Sequence, residues 1–473
     1  MEGRLSLEEL DRDRPVHLVG IGGAGMSAIG TVLLQMGFRV EGSDIKESAN
    51  TRRLKRLGAV VGIGHRADNL GTASVVVRSS AISDENAEVV EARRKLIQVV
   101  TRAEMLAAIM STRRGIAVAG THGKTTTSSL LAQVLLGCGE DPSFLIGGEL
   151  NEIGGNAHYG RGRYLVAEAD ESDGSLLYLR PEVAVLTNVD LDHTDFFRDL
   201  DHTAEVFLEF LRLVPSEGFV VACGDDPPAR RTGEEFKASG GRLLLYGAGG
   251  QNDYRFIDAV TGANGAHYTA FCNGARLGDV RLRVQGMHNI YNSLAALAVG
   301  HALGLRVDEA IDGLGRFQGV RRRFEVVGSC RGIQVIDDYA HHPTEARAVM
   351  ELARSVAGSR LVVVFQPHRY SRTRMLAGAF GECFEGADVV IVADVYGAGE
   401  EPEPGVSGRL VADSIRERGS ASEVIYEPNR ADLASSVASY LEEGDTVITM
   451  GAGDVTQCAR EVLELLAEEG CEG

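Results

Sequence analysis

The sequence predicts an α/β protein built from three consecutive segments, and three observations carry that reading. Short apolar, β-branched runs alternate with longer amphipathic stretches, the pattern of sheets wrapped by helices. Two glycine-rich turns, at 20–25 and 120–126, each lie between such a run and a helical stretch. A Gly- and Arg-rich stretch, Gly313–Arg323, reads as a hinge before a last α/β unit. The expected domains are residues 1–105, 106–317 and 318–473, and a chain of that length is too long for one ordinary core.

In order, the first segment holds expected strands at Val16–Val19, Phe38–Glu41 and Ser74–Arg78, with a helix at Ser27–Met36. The second holds strands at Gly115–Ala119, Tyr164–Ala167, Val183–Thr187, Gly218–Ala222 and Leu243–Tyr246. Its helices are expected at Thr125–Leu136, Ala204–Leu213 and Ser293–Leu303. Alternation with Gly/Asn punctuation over Asp253–Val284 suits hairpins, so the middle sheet should be mixed. Strands at Ile333–Asp337, Arg360–Phe365, Val389–Val392 and Thr446–Thr449 complete the third segment.

Composition narrows the class. At 44% hydrophobic and 24% charged the chain reads as globular, and a net charge of −19 argues against coating nucleic acid or anionic membrane. A small anionic substrate stays open, because local backbone N–H groups suffice to hold one. The seven cysteines are scattered without a Cys-x-x-Cys pair, which fits a reducing cytosol better than disulfides or zinc. The opening MEGRLSLEELDRDRP lacks the apolar stretch of a signal peptide, and no uncharged apolar run reaches the ~18 residues of a membrane span. The expectation is a cytoplasmic protein with no nucleic-acid or membrane partner.

The first turn, Gly20-Ile-Gly22-Gly23-Ala24-Gly25, is a G-x-G-x-x-G with Asp44 about 20 residues on. Residues without side chains let a diphosphate approach helix N–H groups. NAD is the default ligand, but FAD and nucleotide sugars offer the same diphosphate; the bland alternative is a tight turn. The second, Gly120-Thr121-His122-Gly123-Lys124-Thr125-Thr126, would cradle β- and γ-phosphates, with Lys124 on them and the Thr125 hydroxyl on Mg²⁺. It departs from the usual phosphate loop because Val118 stands where the first glycine belongs.

A strand ending in Glu168-Ala-Asp170-Glu171-Ser172-Asp173 puts a carboxylate where a Mg²⁺ ligand belongs, and Glu168 is best placed. The others read equally as a solvated turn. His193, in Asn188-Val-Asp190-Leu-Asp192-His193, suits a second metal position, although alone it would read as a loop histidine. Asn289 and Asn292, three apart, suit either a purine edge or helix capping. Two late clusters, Asp337-Asp338-Tyr339-Ala340-His341-His342 and Gln366-Pro-His368-Arg369-Tyr-Ser-Arg372, both follow strands and suit a carboxylate and a developing phosphate charge.

In this order, GIGGAGMS, GTHGKTTT, EADESDGS, TNVDLDH, HNIYN, RRRFE, DDYAHHPTE, FQPHRYSRT, YGAGEEPEPGVSG and GAGD, the whole chain resembles the Mur ligases, amide-forming enzymes of peptidoglycan precursor synthesis. The resemblance implies a Rossmann-like N-terminal domain for a UDP-sugar, a central mixed-sheet P-loop ATPase domain and a Rossmann-like C-terminal domain for an amino acid. It implies ATP with Mg²⁺, Mn²⁺ being an alternative, held by Thr125, Glu168 and His193. ATP would meet Gly120 to Thr126, Asn289, Asn292, Arg323 and Asp338. The UDP-sugar would meet Gly22, Gly23, Ala24, Gly25, Met26, Ser27, Asp44 and Ser79, with Glu171 and Ser172 nearby. Tyr339, His368 and Arg369 would take the amino acid, with His341 and Arg369 joining Lys124, Glu168 and His193 in catalysis. The branch implied joins L-alanine to UDP-N-acetylmuramate through an acyl phosphate, as monomer or homodimer. A sister branch adding a recycled tripeptide is the alternative. The chain departs from the family at Tyr396-Gly397, which leaves the role of Glu400 open, and it has no lysine between Lys124 and Lys237 to supply the carbamylated lysine of several sister ligases.

Overall fold

The computed structural model describes residues 5–150, 155–193 and 196–469; Cys471 and the first four residues of the opening stretch lie outside that range. Among the described residues, 21 strands form three sheets. The first contains β1 (Val16–Val19), β2 (Val40–Asp44), β3 (Val60–Ile63), β4 (Val75–Arg78) and β5 (Gln98–Thr101), all parallel in the order β3-β2-β1-β4-β5. The order reverses at β1, so the first glycine turn opens at the switch point where α/β sheets take ligands.

The second sheet has ten strands: β6 (Arg114–Ala119), β7 (Ser143–Leu150), β8 (Gly155–His158), β9 (Tyr164–Glu168), β10 (Val183–Leu186), β11 (Phe219–Cys223), β12 (Leu243–Gly247), β13 (Tyr254–Gly262), β14 (Gly265–Cys272) and β15 (Ala275–Leu282). Its order is β15-β14-β13-β12-β11-β10-β6-β9-β7-β8, parallel in the middle and antiparallel at both ends. The hairpins expected over 253–284 are β13 to β15, which makes the sheet mixed. The third holds β16 (Glu325–Cys330), β17 (Ile333–Asp338), β18 (Leu361–Phe365), β19 (Ala387–Ala393), β20 (Ala421–Glu427) and β21 (Thr446–Met450), in the order β16-β17-β21-β18-β19-β20 with only β16 antiparallel.

Strands such as β10 (VAVL) and β18 (LVVVF) are buried throughout because helices cover both faces, and so they read as continuous apolar runs. Each fully buried Val or Leu there contributes about 1.5–3 kcal/mol. Strands β3, β5, β7, β8, β16 and β20 were not expected from the sequence. Five of them, all but β7, are sheet edges, where a strand needs no continuous apolar run: β3 (VVGI) has no buried residue.

Three expectations are corrected. The hinge does not begin at Gly313: Gly313 and Gly315 lie in a helix, Val307–Arg316, and the crossing to the third sheet is 317–324. Gly313 serves close packing, since a Cβ there would stand 2.6 Å from Gln133 O in helix Lys124–Gly137. The first helix starts at Ala24, not Ser27, and Asp44 ends β2 rather than following it. The helix expected at Ser293 is Met287–Ala302 with Gly286 at its N-cap, so Asn289 and Asn292 lie inside it and neither caps it.

Candidate active site

The phosphate loop joins β6 to helix Lys124–Gly137 at the C-terminal edge of the middle sheet. Two of its glycines are dictated by geometry. Gly120 has φ 128°, and a Cβ there would stand 2.1 Å from Thr187 Oγ1; Gly123 has φ 82°, and its Cβ would stand 2.9 Å from Asn292 Oδ1. The His122 N–H donates to Asn188 Oδ1 (2.8 Å) and the Thr121 hydroxyl to Asp190 O (3.1 Å), so the TNVD segment after β10 holds the loop from below.

Lys124 Nζ donates to Gly120 O (2.6 Å), Thr121 O (2.9 Å) and Glu171 Oε1 (2.8 Å). Burial pushes the Glu171 carboxyl up to about 7, against the pull of Lys124, and its other oxygen has no partner among the described residues. Glu168, at the end of β9, accepts from Gly147 N–H (2.6 Å), and burial raises its pKa. Burial lowers that of His193, which sits at φ 49°.

A cavity of about 610 Å³ brings together His122, Gly123, Thr126, Asn289, Asn292, Arg323 and Asp338, with Tyr246, Phe317, Val320 and Leu352 on its apolar walls. Asn292 Oδ1 accepts from Thr127 (3.1 Å), and its amide points to Asn289 Oδ1 (3.4 Å). Asp338 accepts from the N–H groups of Phe324 and Ala340 (both 2.7 Å), and burial lifts its pKa to about 6.

A second cavity, about 750 Å³, carries Ala24 and Gly25 from the first domain, Thr121, Lys124, Thr125, Glu168, Glu171 and His193 from the second, and Tyr339, His341 and Glu345 from the third. Gly22, Gly23, Met26, Ser27, Asp44, Ser79 and Ser172 do not line it. Asp44 Oδ2 accepts from Gly22 N–H (2.8 Å), Met26 is packed in the core, and Ser27 turns its hydroxyl to Ala24 O (2.9 Å). Ser79 backs the turn, and Ser172 N–H donates to Asp170 (3.1 Å).

At the far end, the rings of Tyr339 and His341 (5.3 Å), His341 and His368 (5.6 Å), and His368 and Tyr396 (5.8 Å) form a chain of contacts. Burial lowers His341 to about 4 and His368 to about 3, so both are neutral near pH 7. His341 Nδ1 faces Tyr339 O (2.9 Å) and so carries the proton, leaving Nε2 as acceptor. His368 Nδ1 faces Arg372 Nη1 (3.3 Å) and so carries the lone pair, leaving Nε2–H as donor. Arg369 shares a smaller cleft with His193, and Glu400 stands 3.7 Å from it. Glu400 also accepts from Ser371 N–H (3.0 Å) and Oγ (2.6 Å), ordering the start of helix Tyr370–Phe380.

Pairings between segments were not legible. Asp192 and Arg372, 180 residues apart, form a buried ion pair at 2.7 Å. Asp190 and Glu345 flank His122, each at 3.3 Å. All five residues lie inside motifs the sequence displays, but nothing in the chain says that these side chains meet.

A phosphate loop, a switch-point glycine turn and a histidine–arginine cluster, one on each sheet and converging on adjoining cavities, define a three-domain ATP-dependent ligase. The chain belongs to the Mur ligase family: the family's catalytic domain matches residues 15–114, its middle domain 118–300 and its glutamate ligase domain 322–453. It is 48% identical to the UDP-N-acetylmuramate–L-alanine ligase of Rubrobacter xylanophilus, over 95% of this chain and 100% of that one. Its counterpart in Nitratidesulfovibrio vulgaris is also 48% identical, over 94% and 97%. Among solved structures, the UDP-N-acetylmuramate-alanine ligase of Thermotoga maritima superposes with a TM-score of 0.82 at 29% identity, covering 96% of this chain and 99% of that one. No helix among the described residues is long and apolar enough to cross a membrane.

Proposed function

We propose that the protein joins L-alanine to the lactyl carboxylate of UDP-N-acetylmuramate, splitting ATP to ADP and phosphate, in the cytoplasmic stage of peptidoglycan synthesis. One observation carries this reading: near-half identity along the whole chain to ligases of that activity. ATP occupies the cavity of Asn289, Asn292 and Asp338, with its phosphates over Gly120–Thr126. There Lys124 exchanges Glu171 for phosphate oxygens. The sugar nucleotide enters from the Gly22–Gly25 turn, so that its carboxylate reaches Lys124.

The carboxylate attacks the γ-phosphorus, ADP leaves, and an acyl phosphate forms. Anion meets anion in that step, so the requirement is neutralising charge. Thr125, Glu168 and His193 would hold Mg²⁺, or Mn²⁺ with the same donors; Glu168 suits this because it is a desolvated carboxylate on the cavity wall. Bound there, the ion would supply the positive charge that Lys124 alone does not.

The amine of L-alanine then attacks the acyl carbon, forming the C–N bond while the C–O bond to phosphate breaks. His341 Nε2 accepts from the amine and orients it, while His368 Nε2–H and Arg369 face the carboxylate. With pKa values near 4 and 3, these rings hold an amine better than they take its proton. The test is phosphate release from UDP-N-acetylmuramate and ATP across a panel of amino acids, with the recycled tripeptide as the competing substrate. L-Alanine should give the highest turnover; preference for the tripeptide would move the chain to the sister branch. Lys124→Ala should lower kcat by about 10²–10³-fold while the sugar nucleotide still binds.

A further inference from the structure

Between the phosphate loop and the histidine cluster stands one carboxylate, Glu345, in the first turn of helix Pro343–Val356. Its Oε1 lies 3.3 Å from His122 Nδ1, across 223 residues of sequence. Its Oε2 accepts the His341 N–H at 3.1 Å and lies 3.4 Å from His341 Nδ1. Glu345 therefore touches a loop residue with one oxygen and the amine-orienting residue with the other. It is largely buried, at 13% side-chain exposure, and so is His122 at 14%.

The rest of that helical turn docks on the same loop. Thr344 donates to Asp190 Oδ2 at 2.7 Å, His122 Nε2 faces the same oxygen at 3.3 Å, and the ring of His342 lies 4.9 Å from that of His122. Against the lowering effect of burial, the carboxylates of Asp190 and Glu345, one at each ring nitrogen, push the His122 pKa up to about 9, so near pH 7 it donates from both nitrogens and carries a positive charge. It is a cation clamped between one carboxylate of the middle domain and one of the third. A single side chain, Glu345, thus joins the phosphate loop at His122 to His341.

We propose that the His122–Glu345 pair is a positioning device that couples the phosphate loop to the amine-binding end of the cavity, so that the acyl phosphate meets the amine rather than water. Both residues act through others: His122 through the loop, Glu345 through His341. The two fates of the intermediate differ only in the nucleophile. In one the amine forms a C–N bond, phosphate leaves and the amine proton goes to solvent. In the other water forms a C–O bond and the free acid returns with the same phosphate. Placement of the amine decides between them.

This inference rests on the ligase reading above, and the experiment separates the two. Wild-type protein is first assayed for amide formation from UDP-N-acetylmuramate, ATP and L-alanine; absence of amide would overturn the ligase reading itself. Phosphate released per amide formed is then measured for Glu345→Gln, His122→Asn and the double variant, with KM for L-alanine and with hydroxylamine trapping of the acyl phosphate. Uncoupling is expected: trapping is retained, the phosphate-to-amide ratio rises, KM for L-alanine increases, and amide kcat falls by about 10- to 100-fold. The double variant should be no worse than the poorer single one. If the ratio stays at the wild-type value, or trapping and amide formation fall in proportion, the pair only holds the domains together and the inference is wrong. His122→Asn, which leaves Glu345 with a neutral donor, keeps the test decisive if Glu345→Gln does not fold.

Discussion

His122 and His341 line the same cavity and His368 packs against His341, yet His122 is a cation and the other two rings are neutral. All three are largely desolvated, which by itself favours neutral imidazole. His122 nevertheless rises to about 9, because Asp190 and Glu345 each receive one of its N–H groups. His341 and His368 fall to about 4 and 3, chiefly through desolvation; His341 and then Arg372 add to it at His368, Arg372 adds to it at His341, and Glu345 does not offset it there. Burial is therefore common to both regions, and the neighbours decide the outcome. In the proposed reaction the phosphate end needs positive charge and the amine end a lone pair.

Removing the cation that separates the two regions should have the largest effect. Arg372→Leu leaves Asp192 buried without its partner, a loss of about 3–5 kcal/mol in denaturant unfolding. In ¹³C-histidine NMR the pKa of His368 should rise. An unmoved His368 would show that desolvation alone keeps the ring neutral.

Next comes the acid limb. His341 and His368 have folded-state pKa values below the unfolded 6.5, so the unfolded chain binds more protons as pH drops. Stability should fall from pH 6.5 downward through about 4 and 3, with two rings contributing, and amide synthesis should keep its L-alanine KM down to the start of that fall. A thermal-melt series checks both the direction and the window.

The alkaline limb depends on one ring and should be smaller. His122 has a raised pKa, so its contribution is complete below pH 6.5 and is lost as pH rises through about 9. The expected loss is on the order of 3 kcal/mol over that interval. His122→Asn should flatten this limb; a decline equal to wild type would contradict the clamp. Smallest of all, Thr344→Val removes one donor to Asp190 and should cost about 1 kcal/mol without altering either titration window.

How much of this was legible varied with the element. Continuous buried strands such as β10 and β18, and both glycine turns, could be read directly because their residue types follow from local geometry. Edge strand β3 could not, since pairing with a neighbour rather than apolar burial makes it a strand. The hinge was misplaced because Gly313 reads as flexible, whereas it is a contact point between two packed helices. Asn289 and Asn292 were found but their role was open, until a helix start at Met287 removed capping from the choice.

By itself the sequence determined the three α/β units, the two glycine turns, and the residue types offered at strand ends, Lys124, Glu168, His193, His341 and His368 among them. Those depend on periodicity and local backbone conformation, which a short window carries. Only the tertiary structure decided which charges face one another: Asp192 with Arg372, and His122 with Asp190 and Glu345. It thereby decided that one histidine is a cation and two others are not. Charge state depends on atoms within a few ångströms in space, and the residues supplying them lie as far as 223 positions apart in the chain.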